Sequence, residues 1–168
     1  MNKEILIICR GGGDLATGIV HRLFRAGYQV LILETAEPAA IRRQVSFCEA
    51  VYEGTATVEG VTAERIYTAK KQAVEEVLQR GRIPLLVDPD GRSIEVLKPD
   101  VVVDAIIAKK NLGTYKEMAP LVIGIGPGFV AGKDVHLVVE SMRGHNLARI
   151  LETGSALANT GIPGNIGG

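Results

Sequence analysis

Apolar residues in this chain fall into short runs that alternate with stretches of helical spacing. Lys3 to Cys9, with the run Ile5-Leu6-Ile7-Ile8-Cys9, reads as a fully buried strand. Asp14 to about Ala26 carries Leu15, Ile19, Leu23 and Phe24 at helical spacing, and Gly27 stands where a helix stops. Gln29 to Leu33 is a second strand, so the opening is a βαβ unit with a right-handed parallel crossover. Pro38 to about Glu53 is helical in part, with Ile41, Val45, Cys48 and Val51 at spacings of three and four, and Gly54 ends it. Thr55 to Thr68 predicts two strands around a turn at Gly60. Lys70 to about Arg80 predicts an amphipathic helix with Ala73, Val74, Val77 and Leu78 inward, closed by Gly81.

Beyond residue 83, strand signals outnumber helical ones. Ile83 to Val87 is a short strand, followed by the turn Asp88-Pro89-Asp90-Gly91. Val101 to Ile107 is the strongest strand signal of this half. Leu121 to Ile125 and His136 to Glu140 are further strands, and the glycine-rich Gly124-Ile125-Gly126-Pro127-Gly128 follows the first of them. The expected fold is α/β: a Rossmann-like, mostly parallel sheet with helices on both faces and a β-rich C-terminal part. One nucleotide-binding domain is expected over residues 1–158. Residues 159–168 are rich in Gly and Pro and read as a tail, or as the start of a further C-terminal domain.

Composition narrows this picture. The chain has 168 residues, enough for one domain with a real core. Aromatics are 4% and Trp is absent, so the core is aliphatic, as a sheet covered by helices requires. Lys plus Arg and Asp plus Glu both number 19, which gives no electrostatic footprint for nucleic acid. No apolar run is long enough for a membrane span, and the first strand leaves no room for a signal peptide, so a cytoplasmic protein is expected. Cys9 and Cys48 have no CxxC partner, so neither a zinc site nor any other metal site is expected.

The candidate chemistry gathers at Arg10-Gly11-Gly12-Gly13-Asp14-Leu15-Ala16. Strand, glycine turn and helix in this order suit a phosphate, with Gly11 turning the chain and Gly13 letting backbone approach a pyrophosphate. Ala16 lets helix and strand pack closely, and the helix N-terminus favours an anion. The alternative is a structural glycine turn with no ligand. Glu34 ends the second strand, 21 residues beyond Gly13 (34 − 13), where an acid binds ribose hydroxyls and repels a 2′-phosphate. The alternative there is a solvated acid. Asp14 could pair with Arg10, hold a divalent cation that bridges to phosphate, or simply start the helix.

Cys9 stands beside the expected ligand by position, and a thiolate there or at Cys48 is a candidate for sulfur chemistry; the alternative is a buried apolar thiol. Gly126 and Gly128 would form the second lip of the crevice, with Asp104, Lys109 and Lys110 on the same rim. His136, Arg143 and His145 form a polar group in which His145 is the acid/base candidate, while His21 reads as surface.

Several stretches resemble one bacterial and archaeal family. They are Arg10 to Gly18, Val45 to Gly54, Gly126 to His136, Arg143-Gly144-His145-Asn146-Leu147 and Asn159 to Gly164. The chain is similar over nearly its whole length to the YqeB-type accessory proteins of the selenium-dependent molybdenum hydroxylase system, and through them to the Rossmann part of XdhC. The resemblance implies a role in supplying or finishing the molybdenum cofactor, with a molybdenum hydroxylase as protein partner. It carries over no catalytic residue. Family members look longer than this chain, and a homodimer suits the family type. Three readings stand: a maturation factor that binds a nucleotide or molybdopterin-type phosphate ligand, an NAD-dependent oxidoreductase, and a non-catalytic nucleotide-sensing module.

Overall fold

Strand β1 (Leu6–Arg10) lies at the centre of one sheet in the computed structural model, which describes residues 4–158. The expected tail, 159–168, lies outside the described residues. From β1 the chain passes through helix α1 (Asp14–Arg25) to β2 (Gln29–Glu34), which pairs parallel to β1. Short 3-10 turns at Arg43–Val45 and Phe47–Glu49 lead into the one-turn helix α2 (Ala50–Glu53). An antiparallel hairpin, β3 (Thr55–Val58) and β4 (Val61–Ile66), comes next. Helix α3 (Lys71–Gln79), β5 (Ile83–Val87), helix α4 (Arg92–Leu97) and β6 (Val101–Asp104) continue the chain. The last strands among the described residues are β7 (Leu121–Ile125), β8 (Leu137–Val139) and β9 (Ile150–Leu151).

The nine strands lie in the order β3-β4-β5-β2-β1-β6-β7-β8-β9. All neighbours are parallel except the terminal pairs β3/β4 and β8/β9. This is a Rossmann-like α/β fold. Successive residues of the central strands bury on opposite faces. Ile7, Cys9, Val30 and Ile32 pack with Ala16 and Val20 of α1 and Phe47, Ala50 and Val51. Ile8, Leu31 and Leu33 pack with Val74 and Val77 of α3 and Ile94 of α4. Among the described residues no helix is long and apolar enough to cross a membrane.

Three local expectations change. The stretch from Pro38 is irregular up to the first 3-10 turn, and Ile41 is 95% exposed, so helical packing begins only at Phe47. The strand expected to reach Ile107 ends at Asp104, because the Asp104 side chain accepts the Ile106 amide (3.1 Å) and Ile107 turns to φ 58°. Helix α4 arises where only a turn was expected. Asp88 accepts the amides of Arg92 (3.1 Å) and Ser93 (2.8 Å) and the Ser93 hydroxyl (2.6 Å), so the turn residue also starts a helix.

Arg10, at the end of β1, is 2% exposed. Its guanidinium donates to Thr114 Oγ1 (2.7 Å) and to the carbonyls of Pro89 (2.9 Å) and Leu112 (3.2 Å). Thr114 in turn donates to buried Asp104 (2.6 Å), the residue paired with Arg10 across β1 and β6. A buried charge is tolerated only with such partners. Thr114→Val removes both bonds of this relay and should cost about 2–4 kcal/mol in urea unfolding, whereas Thr114→Ser, which keeps the hydroxyl, should cost about 1 kcal/mol or less. Equal losses in the two variants would show that the relay contributes nothing.

Candidate functional site

The order in which strands are laid down reverses between the parallel neighbours β1 and β6. Strands β2 and β5 lie on one side of β1, and β6, β7 and β8 on the other. The loops leaving β1 and β6 therefore diverge, and a crevice opens at the carboxyl ends of the strands, where ligands bind in open α/β sheets. It has a volume of about 440 Å³. Gly11, Gly13, Asp14, Leu15 and Ala16 line it after β1 and Ala105, Ile106 and Ile107 after β6, and Glu34, Thr35, Pro38 to Ile41 and Cys48 complete the lining.

The three glycines of the turn do different work. Gly11 adopts φ 104°, and a Cβ there would fall 2.8 Å from the Ala105 carbonyl oxygen, so only glycine fits. A Cβ on Gly12 would sit 3.2 Å from Ile32 and 3.3 Å from the Cys48 amide. Gly13 has φ −68°, and a Cβ there would meet nothing within 4 Å. Its open side is the crevice that it lines. The turn itself is pinned from below. The Gly11 amide donates to Leu33 O (2.8 Å), while Gly12 O accepts from the Cys48 amide (2.8 Å) and the Thr17 hydroxyl (3.2 Å). Thr17 Oγ1 also accepts the Phe47 amide (2.9 Å). The Ser46-Phe47-Cys48 segment thus buttresses the glycine turn.

Glu34 reaches the crevice, and its carboxylate staples the backbone there. Oε2 accepts the Gly12 amide (2.8 Å) and Oε1 the Thr35 amide (2.8 Å). With the Gly11 amide on Leu33 O and the Gly12 amide on Glu34, two of the three glycine amides are occupied. The amides of Gly13, Asp14 and Ala16 precede the first helical bond, Thr17 N to Gly13 O (2.8 Å), and they form the donor end of α1. Asp14 folds back onto the Leu15 amide (3.0 Å). It does not pair with Arg10, whose side chain is held in the relay below the turn. Among the described residues the crevice lining holds two carboxylates, Asp14 and Glu34, and no Lys, Arg or His. Ile107, on the far lip, is β-branched at φ 58°, a conformation that costs such a residue about 1–2 kcal/mol.

Both thiols are buried and free. Burial first, and then the carboxylates of Asp104 and Glu34, push the Cys9 thiol far above its ordinary range. Its Sγ lies 3.6 Å from the Gly11 carbonyl oxygen. Cys48 is pushed up from 9.0 to about 12, by burial first and then by Glu34 and Glu49. At neutral pH both side chains are protonated and apolar, so the structure places Cys9 in the core rather than as a thiolate nucleophile.

The remaining candidates fall elsewhere. Gly126 (φ 84°) and Gly128 (φ 108°) do not line the crevice, because β6 intervenes between β1 and the strand that precedes them. Gly128 packs on the backbone of Lys110, where a Cβ would fall 2.8 Å from its Cα. The second lip is Ala105 to Ile107. Lys109 and Lys110 are exposed and outside the lining. His136 Nδ1 accepts the Val122 amide (2.9 Å), a structural bond. Arg143 and His145 are exposed in the loop between β8 and β9, away from the crevice lining. His21 is half-buried, with Nε2 3.3 Å from Glu59 O. The residues that sequence reasoning missed are Thr17 and the walls Pro38 to Ile41 and Ala105 to Ile107. Only the polar Thr17 on the inner face of α1 gave a signal.

The chain is 50% identical over 163 residues to the uncharacterized protein YqeB of Escherichia coli (strain K12). The chain is similar to YqeB. The likeness covers 97% of this chain and 30% of that protein, so the chain spans less than a third of its relative. Every crevice residue named above lies on a chain that matches YqeB almost throughout. No protein-family model and no solved structure matches.

Two outcomes follow from the glycines and the thiols. Gly11→Ala should destabilise the fold by about 2–3 kcal/mol, through backbone clash and positive φ. Gly13→Ser should change stability by less than about 0.5 kcal/mol, because Ser is a good helix start. Chemical denaturation of the two variants checks this, and equal losses would refute the division of roles. Cys48 carries a raised pKa in the folded state, so its proton favours folding below pH 9 and that contribution fades as pH rises towards 12. Stability should fall by about 1.4 kcal/mol per pH unit per thiol in that window, and Cys48→Ala should reduce the slope by one thiol's share.

Proposed function

We propose that the crevice binds a nucleotide or a molybdopterin-type phosphate ligand, and that the protein acts as an accessory factor in the maturation of selenium-dependent molybdenum hydroxylases. The observation that carries the binding reading is Gly13. It is unobstructed, lines the crevice and precedes the free amides of α1 at the point where the strand order reverses. A phosphate there meets backbone N–H groups and the positive end of a helix of 12 residues. The maturation role rests on the likeness to the YqeB-type accessory proteins.

The acidic lining selects among ligands. With Asp14 and Glu34 present and no basic side chain, each additional phosphate charge is opposed. A ligand with an unphosphorylated ribose is favoured over one that carries a 2′-phosphate. The same feature supports an NAD-type nucleotide as the second reading. Against redox chemistry, the lining offers no His, Lys or Tyr to move a proton.

Native mass spectrometry of the protein with NADH, NADPH, adenosine nucleotides and isolated molybdenum cofactor tests the proposal. The expected result is one adduct from the nucleotide or pterin set, weaker for NADPH than for NADH, and about tenfold or more weaker in Gly13→Ser. Absence of every adduct overturns the binding reading. An unchanged molybdenum content of the partner hydroxylase, produced with and without this protein, overturns the maturation role.

A further inference from the structure

One wall of the crevice is pinned at both ends and loose between them. Pro38 is buried, and its carbonyl accepts the Tyr52 hydroxyl (2.9 Å). Arg42 O accepts the hydroxyl of buried Ser46 (2.7 Å) and the Val45 amide (3.2 Å). Between these pins lie Ala39, Ala40 and Ile41, which line the crevice in irregular backbone. Among the described residues no backbone hydrogen bond holds their three amides. A segment with so few bonds opens and closes at little cost.

The last residue of this wall is apolar and lies almost wholly in water. Ile41 is 95% exposed although it lines the crevice. Leu15, in the first turn of α1, is 57% exposed, and Ile106 and Ile107 are half-buried in the same lining. A lone exposed apolar side chain is ordinary, but Ile41 shares one cavity with three others. Aliphatic walls of this kind take an uncharged, flat part of a ligand, and covering it removes Ile41 and Leu15 from water.

Glu49 gives the wall a reason to move inward. Its Oε1 is buried and has no hydrogen-bond partner among the described residues. Arg43 Nε stands 3.9 Å from it, beyond hydrogen-bond reach. An unpaired buried acceptor is costly, and a shift of about 1 Å would pair it. Arg43 follows the pinned Arg42, and Glu49 follows Cys48, which lines the crevice. Pairing therefore draws the end of the wall towards the crevice.

We infer that residues 38–43 form a strap that closes over the ring of the bound ligand, with Ile41 as its clamp and the Arg43–Glu49 pair as its latch. This rests on the binding reading above and names the part of the ligand that the glycine turn does not hold. That part is a flat heterocycle, nucleobase or pterin, on a molecule whose phosphate sits at Gly13.

Limited trypsin digestion of the 168-residue protein tests this, because Arg42 and Arg43 are exposed at the end of the strap. The free protein should be nicked after one of them. Saturating NADH, ATP or isolated molybdenum cofactor, whichever forms an adduct in native mass spectrometry, should slow that nick about tenfold or more. Ile41→Ser should weaken the same adduct about tenfold and leave the urea midpoint unchanged, because the side chain is in water in the free protein. Arg43→Gln and Glu49→Gln should each remove most of the protection, read from cleavage after Arg42, and the double variant should remove no more than either alone. Arg43 is exposed, so its variant folds whether or not that of Glu49 does. No adduct from any probe overturns the binding reading and the strap together. An adduct that leaves the nick rate unchanged overturns the strap alone, as does a free protein that resists cleavage at both arginines. Ile41→Ser with wild-type affinity overturns the clamp, and additive losses in the double variant overturn the latch.

Discussion

A single buried guanidinium holds the two halves of this sheet in register at the place where they part. Arg10 ends β1, and its bonds reach the loop that follows β5 and the loop that follows β6. Through Thr114 it is coupled to Asp104, its partner across the β1/β6 pair. Removing such a charge from water is costly, so its partners must all be present at once. That demand fixes the loop ends against each other. Gly11 is pressed against Ala105 for the same reason, since both residues directly follow this linked pair. The crevice is therefore a product of the core beneath it.

The glycine turn then divides into parts with separate duties. Gly11 is a packing residue and Gly12 a bonded one, held by Glu34 on one side and by Cys48 on the other. Only Gly13 faces open space. Glu34 occupies the position of a ribose-binding acid, yet it already holds two backbone amides, so its first task is to fix the turn. The carboxylates at the crevice give it an acidic character that a bare polyphosphate would not choose. This sharpens the accessory-factor proposal towards ligands with little charge near Glu34.

Much of the fold was legible because it depends on local periodicity. The runs at β1, β2, β5, β6 and β7 are short and apolar between their ends, as strands buried on both faces must be. Helix α1 was legible from its spacing and from Gly27. What escaped detection was short or nonlocal. Helix α4 has six residues and begins at a side chain, Asp88, that reads equally well as a turn. Strand β9 has two residues and exists only because β8 is beside it. The near lip of the crevice was visible in the glycines, but the far lip, Ala105 to Ile107, has no signature other than adjacency to β1. Gly126 and Gly128 misled because a glycine loop after a strand carries no information about which strand lies next to it. Cys9 shares the inward face of Ile7, so its burial follows from the two-residue period of β1.

The placement of β5 sets an order of events on the molecule as it folds. It lies between β2 and β4, parallel to both, although the chain makes β4 first. The β3–β4 hairpin therefore cannot join the sheet until a later segment has arrived to receive it. Until then β2 presents an open edge, and the hairpin is two isolated strands, a unit of marginal stability in water. Closure of this half of the sheet requires residues from Thr55 to Val87 to come together. Changes that slow the arrival of β5 would prolong the life of an unpaired central strand, the species most prone to pair with another molecule.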